Sequence, residues 1–168
     1  MAPESPEPGA SGHGGPEHGA KEERVGQCLC GAVRFTARLG SLDYGTCHCV
    51  MCRRWTGSAL LAITVPLADV TWSGTEHIGE IQSSAWAMRA FCAKCGSGLY
   101  YKLTDGPWAD AYEIPIGLFD DADGMVMKTE IYHDQKPDAF SYAGSAKKMS
   151  RAETLVFLGL DASPSSKE

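Results

Sequence analysis

Short apolar segments, each ended within a few residues by glycine, proline or a polar turn, run through the chain from about residue 24 onward. Ala32 to Ala37 alternates inward and outward residues, the period of a half-buried strand. Ala59 to Val65 is a continuous apolar run stopped by Pro66, and it too reads as a strand. Further strands are predicted at Asp69 to Trp72, Ser84 to Phe91, Leu99 to Lys102, Asp110 to Ile116 and Met127 to Tyr132. So many short strands with frequent turns predict a mainly β domain of short antiparallel strands. One helix is expected, at the C-terminal end. Ser150-Arg151-Ala152-Glu153 has the serine-to-glutamate spacing of a capping box, and Leu155, Val156, Leu158 and Leu160 follow as apolar positions.

The same pattern sets the organisation. Residues 1–23 are rich in Pro, Gly, Glu, Ser and Ala without periodic apolar positions, and are predicted to be a disordered tail. His13 and His18 lie in this tail with no neighbouring ligand type to fix a metal. Residues 24–160 then form a single domain, and 161–168 a flexible C-terminus. With 168 residues and 43% hydrophobic content, the chain has enough material for one core. No run approaches the ~20 apolar residues of a membrane span, and the N-terminus lacks the blocks of a signal peptide. The expectation is a soluble, cytoplasmic protein with no membrane partner. A net charge of -6 argues against nucleic acid as the partner, and Lys147, Lys148 and Arg151 read as a solvated turn before the helix.

Seven cysteines carry the chemistry. They fall in three tight clusters: Cys28 and Cys30, then Cys47, Cys49 and Cys52, then Cys92 and Cys95. Sulfurs so close in sequence pair poorly with each other as disulfides but converge readily on a soft metal ion. A reducing compartment keeps such thiols available as ligands. Gly31 and Gly96 follow the outer pairs, where a left-handed residue lets the chain curl around an ion. The middle three lie within six residues, so a single loop can hold one face of a metal and leave the other open. His48 alternates with Cys47 and Cys49 and is expected to point the other way. Seven is four plus three, the count for one closed zinc site and one with an exchangeable position. Spacing leaves the pairing open, because Cys28 and Cys30 can also join two of the middle cysteines. One zinc with three spare thiols, or redox-active cysteines, also satisfy the arithmetic.

The runs Gly26 to Phe35, Cys47 to Ser58 and Phe91 to Ser97, with Leu99-Tyr100, resemble the glutathione-dependent formaldehyde-activating enzyme family, which also includes centromere protein V. The likeness extends from about Val25 to Lys136. It implies a zinc-bound β-tent fold, in which two antiparallel sheets meet at an angle around the metal. By the same resemblance Cys28, Cys30, Cys92 and Cys95 hold a structural zinc, and Cys47, Cys49 and Cys52 a catalytic one. The implied activity is that of a zinc-dependent carbon-sulfur lyase acting on a thiol adduct, as in S-hydroxymethylglutathione synthesis from glutathione and formaldehyde. The implied partner is a small-molecule thiol, glutathione in the named reaction. A non-catalytic zinc-binding module for partner recognition is the alternative.

Several residues outside the clusters are candidates for the site. Arg53 is the expected grip on a substrate carboxylate, with Arg54 beside it. Trp55 and Trp86 can line a pocket or fill the core. Glu113 and His133 are conceivable proton carriers.

Overall fold

The computed structural model describes residues 21–160. Residues 1–20, with His13 and His18, and residues 161–168 lie outside the described residues. In chain order the elements begin with β1 (Glu22–Gln27), β2 (Arg34–Leu39), β3 (Asp43–Cys47), α1 (Val50–Thr56), β4 (Leu60–Pro66) and β5 (Val70–Ser73). They continue with β6 (Ile78–Ser84), β7 (Ala87–Cys92), β8 (Gly98–Leu103), β9 (Ala111–Pro115), β10 (Val126–Ile131), β11 (Lys147–Lys148) and α2 (Arg151–Leu158). No helix among the described residues is long and apolar enough to cross a membrane.

Two sheets result, one of three strands in the order β1-β2-β5 and one of eight in the order β11-β10-β3-β4-β9-β8-β7-β6. The named pairings are antiparallel except that β10 lies parallel to both β3 and β11. The expected mainly β architecture with a C-terminal helix is therefore present. Ser150 accepts from the Glu153 amide and Glu153 reaches back to the Ser150 amide, which completes the capping box.

The core lies where the small sheet covers one face of the large one. Phe35, Ala37 and Leu39 alternate along β2 and meet Ile63 and Val65 of β4 and Ile114 of β9, with Phe119 beside them. The two-residue period sends Leu60, Ala62 and Thr64 of β4 to the opposite face. That face carries the cavity described below. Toward one end of the core Trp72, Tyr100 and Tyr112 pack ring on ring, with Trp72 and Tyr100 centroids 5.3 Å apart and Tyr100 and Tyr112 4.5 Å apart.

The structure departs from the expected elements in four places. Strand β1 starts at Glu22, two residues inside the span expected as tail, because its backbone pairs with β2 from Glu22 opposite Leu39 onward. The stretch Ser84 to Phe91 contains a chain reversal rather than one strand. It turns at Ala85-Trp86, so β6 and β7 form a hairpin, and no glycine, proline or asparagine marks the turn. Strand β3 was hidden by its composition, since Asp43-Tyr44-Gly45-Thr46-Cys47 shows no alternation of apolar residues. The cysteine-rich segment expected as a single loop is instead a strand end followed by the short helix α1.

Gly26 marks a close approach between the sheets. A Cβ there would stand 2.4 Å from the Leu118 carbonyl oxygen and 2.5 Å from the Phe35 ring. Gly26→Ala is therefore expected to cost about 2–3 kcal/mol through overpacking. Denaturant titration checks this: the midpoint should fall with the slope unchanged.

Candidate metal and active site

The first cysteine set joins two hairpin loops that are far apart in sequence. Cys28 begins the turn between β1 and β2, where the Cys28 amide donates to the Val33 carbonyl at 3.0 Å and the Gly31 amide to the Cys28 carbonyl at 3.0 Å. Cys92 ends β7, and the Gly96 amide donates back to its carbonyl at 2.8 Å. Gly31 and Gly96 take φ of 73° and 78°, the left-handed conformation expected of both. Ser97 ties the loops together, accepting from the Leu29 amide at 3.0 Å and lying 3.3 Å from the Cys95 sulfur. This hydroxyl is the main reason that the Cys95 thiol is held down to about 5.

The sulfurs of Cys28, Cys30, Cys92 and Cys95 lie within 4.8 Å of one another, and none of the seven cysteines forms a disulfide. Cys28 and Cys30 are 3.6 Å apart and Cys30 and Cys92 3.8 Å. Zinc–sulfur bonds of about 2.3 Å in a tetrahedron place sulfurs about 3.8 Å apart. The set therefore fits a zinc ion in both donor type and spacing. Cys28 and Cys92 are fully buried and pack with Val33, Ala90 and Leu99, so one side of the cluster belongs to the core, whereas Cys30 is exposed and Cys95 half-buried.

The second set is built by a strand-to-helix junction. Cys47 ends β3, Cys49 is the N-cap of α1, and Cys52 lies in its first turn. The Cys49 sulfur accepts from the Cys52 amide at 3.4 Å, so one atom both caps the helix and faces the other sulfurs. The three sulfurs lie within 4.8 Å of one another. Hydrogen bonds from Cys47 and then Cys52 hold the Cys49 thiol down to about 3. The Cys47 thiol, committed to Cys49, is pushed well above the usual range. One thiolate is thus favoured within the set, and metal binding would release the remaining protons. These three soft donors also fit zinc, with fewer protein ligands than a closed site requires.

His48 points away from these sulfurs, as its alternation predicts. It is fully buried, with Nε2 2.8 Å from a Glu130 carboxylate oxygen, and its ring packs on His133 and Phe140. Desolvation lowers its pKa against the opposing pull of Glu130. The pair braces the junction from behind.

In front of the three cysteines lies a cavity of about 320 Å3. Its floor and walls come from β3, α1, β4, β6, β7, β8, β9 and β10, and the end of α2 brings Phe157 and Leu158 over it, with Leu160 just beyond. Of the candidates outside the clusters, Trp86 and Glu113 line this cavity, whereas Arg53, Arg54, Trp55 and His133 do not. The Arg53 Nε instead donates to the His48 carbonyl at 3.0 Å, holding the cysteine junction in shape.

A buried cation that does reach the cavity is Arg89, which the sequence reading passed over. It is buried in β7, 3.5 Å from the Cys52 sulfur through Nη2. Its guanidinium lies 5.3 Å from the Trp55 ring centroid and 5.0 Å from that of Tyr101, and donates to the Ser83 hydroxyl. Its Nε has no hydrogen-bond partner among the described residues. The available signal was a single charge between alanines in an apolar strand, Ala87-Met88-Arg89-Ala90. A burial cost of this size is offset only where negative charge or a π face is close. Tyr132 was also missed. It lines the cavity with φ of 52°, the one non-glycine residue with positive φ among those described.

Glu113 sits opposite Thr64 on adjacent strands and accepts its hydroxyl at 2.9 Å. Desolvation against the cavity wall raises its carboxyl to about 7. A carboxyl raised in the folded state contributes stability that is present below about pH 4.5 and is lost as pH rises through 7. Glu113→Gln removes that loss. The variant should match the parent near pH 4 and exceed it by about 1–2 kcal/mol at pH 8, a figure discounted for solvent reaching the cavity. Thermal unfolding of both proteins across pH 4 to 8 checks the sign, and parallel curves would contradict it.

Residues 23–135 match the family model described as glutathione-dependent formaldehyde-activating enzyme. The chain belongs to this family. An uncharacterized lyase of Schizosaccharomyces pombe is 30% identical over 133 residues, covering 79% of this chain and 95% of the relative. A Rhodobacter sphaeroides protein of known crystal structure aligns with a TM-score of 0.50 at 25% identity, covering 61% of this chain and 97% of that one. Membership of the glutathione-dependent formaldehyde-activating enzyme family makes this chain a relative of lyases, with both cysteine sets inside the matched region.

Proposed function

We propose that this protein is a zinc-dependent carbon-sulfur lyase that makes and breaks the adduct of a thiol with an aldehyde, glutathione and formaldehyde being the pair the family is named for. The observation that carries the reading is the convergence of Cys47, Cys49 and Cys52 at the wall of a cavity large enough for a substrate, while none of the four cysteines of the other set lines that cavity. Cys28, Cys30, Cys92 and Cys95 would hold a structural zinc, and Cys47, Cys49 and Cys52 a catalytic one. Zinc at the second set would stabilise a substrate thiolate and present it to an electrophilic carbon.

The surrounding side chains supply the rest. Arg89 stands beside Cys52 and balances negative charge on the sulfur set, and its stacking between Trp55 and Tyr101 keeps it from leaving. In the synthetic direction the thiol gives up its proton to become the thiolate, the sulfur–carbon bond forms, the carbonyl π pair moves to oxygen, and that oxygen takes a proton, so that none is consumed overall. Glu113, poised near neutrality in the same cavity, is our candidate for delivering that proton and for reclaiming it when the adduct breaks down. Phe157 and Trp86 shield the reacting groups from bulk water. The seven free thiols support a reducing compartment, and we infer the cytoplasm.

A non-catalytic zinc module for partner recognition needs no cavity beside its metal, so the cavity favours the enzyme. The test is direct detection of S-hydroxymethylglutathione by NMR exchange from glutathione and formaldehyde, with the uncatalysed rate subtracted. Acceleration supports the named reaction, and a rate equal to background rules it out.

A further inference from the structure

We propose that the adduct handled here carries an apolar, ring-sized substituent seated against Trp86, Leu103, Trp108 and Phe157, rather than the hydroxymethyl group alone. The inference rests on the thiol-adduct reading above and names the substrate class for that site. Its first support is size. A hydroxymethyl group has two heavy atoms, each about as large as a water molecule whose share of liquid volume is about 30 Å3. The cavity holds about 320 Å3, several times that amount.

The glutathione peptide does not account for the remainder. It carries two carboxylates, an ammonium and two amides, and each of these costs free energy when buried without a partner. Hydroxyls such as that of Ser84 also line the cavity, but Leu60, Ala62 and Leu103 make part of its inner wall buried and apolar. The unpaired Arg89 Nε can meet one carboxylate, its other nitrogens being directed at Ser83 and Cys52, and Glu113 opposes a second. Charged partners lie at the exposed rim, where Lys128 and Asp43 face each other at 3.9 Å. The rest of the peptide therefore belongs at the rim, and the apolar stretch of Trp86, Leu103, Trp108 and Phe157 is left for the carbon substituent. A second, separate observation concerns the other side of the mouth. Trp108 and Phe157 approach with ring centroids 5.5 Å apart and are 37% and 51% exposed. They join the segment before β9 to the end of α2, so two elements distant in sequence present one aromatic edge to whatever enters.

The experiment uses stable thioethers in place of the labile adduct. S-methylglutathione and S-benzylglutathione differ only in the group on sulfur, and binding to the zinc-loaded protein is followed by calorimetry. The benzyl compound is expected to bind about 20-fold tighter, from six additional carbon atoms at the efficiency usual for ligands of this size. In Trp108→Ala the ratio between the two compounds should fall to about 3-fold. Because Trp108 is partly exposed, that variant should keep its fold, and a circular dichroism spectrum confirms it. Equal affinities, or a ratio untouched by Trp108→Ala, overturn the inference while formaldehyde–glutathione acceleration leaves the functional reading standing. If neither thioether binds and that reaction is not accelerated, both fall together.

Discussion

Cys92→Ser is expected to yield a chain that does not reach the native fold. Cys92 is fully buried at the end of β7, and its sulfur lies 3.8 Å from that of Cys30 in the turn between β1 and β2. With zinc bound, the four-cysteine set would join the small sheet to the far end of the large one. Structural zinc contributes on the order of 10 kcal/mol to small domains, comparable with the whole stability of a typical fold. Removing a ligand also leaves a hydroxyl in an apolar cluster of Val33, Ala90 and Leu99. The expected result is loss of soluble, zinc-containing protein and of the cooperative unfolding transition. A soluble Cys92→Ser protein with the parental melting temperature would mean that this set does not join the sheets.

Cys49→Ser is expected to separate folding from chemistry. Serine is a good N-cap, so its hydroxyl can replace the sulfur that accepts from the Cys52 amide, and α1 should persist. The weak oxygen donor should nevertheless release the ion from Cys47 and Cys52. Zinc content should fall from two per chain to one, the circular dichroism spectrum should be retained, and turnover should drop by more than about 100-fold. Retention of both zincs would move the exchangeable position elsewhere, and collapse of the fold would make the middle set structural as well.

Some of the molecule is legible from short spacings. The capping box of α2, the left-handed glycines after Cys28-Leu29-Cys30 and after Cys92-Ala93-Lys94-Cys95, and the turn of His48 away from the neighbouring sulfurs each depend on residues within a few positions. So does the convergence of sulfurs inside each cluster. The grouping into four and three is different. Residue spacing allowed Cys28 and Cys30 to join either of the other clusters, and the geometry that brings them to Cys92 and Cys95 comes from the position of β2 and β7 in the folded sheets.

Other features left no such trace. The turn at Ala85-Trp86 uses residues without turn preference and is held by its surroundings, as when the Thr104 amide donates to the Trp86 carbonyl at 2.8 Å. Helix α1 has seven residues, too few to persist without packing, and β3 is recognisable only from its partners β4 and β10. Arg53 lay beside the cysteines in sequence and drew attention, while Arg89 lay 37 residues from Cys52 and touches it.

Chemistry that needs only neighbouring residues can be read along the chain, because the covalent backbone already sets their separation. The cysteine clusters are of that kind. The cavity is not, since its walls come from seven strands and both helices, and its aromatic edge from residues 108 and 157. Such a surface depends on the sum of many weak contacts between distant segments and has no counterpart until they assemble.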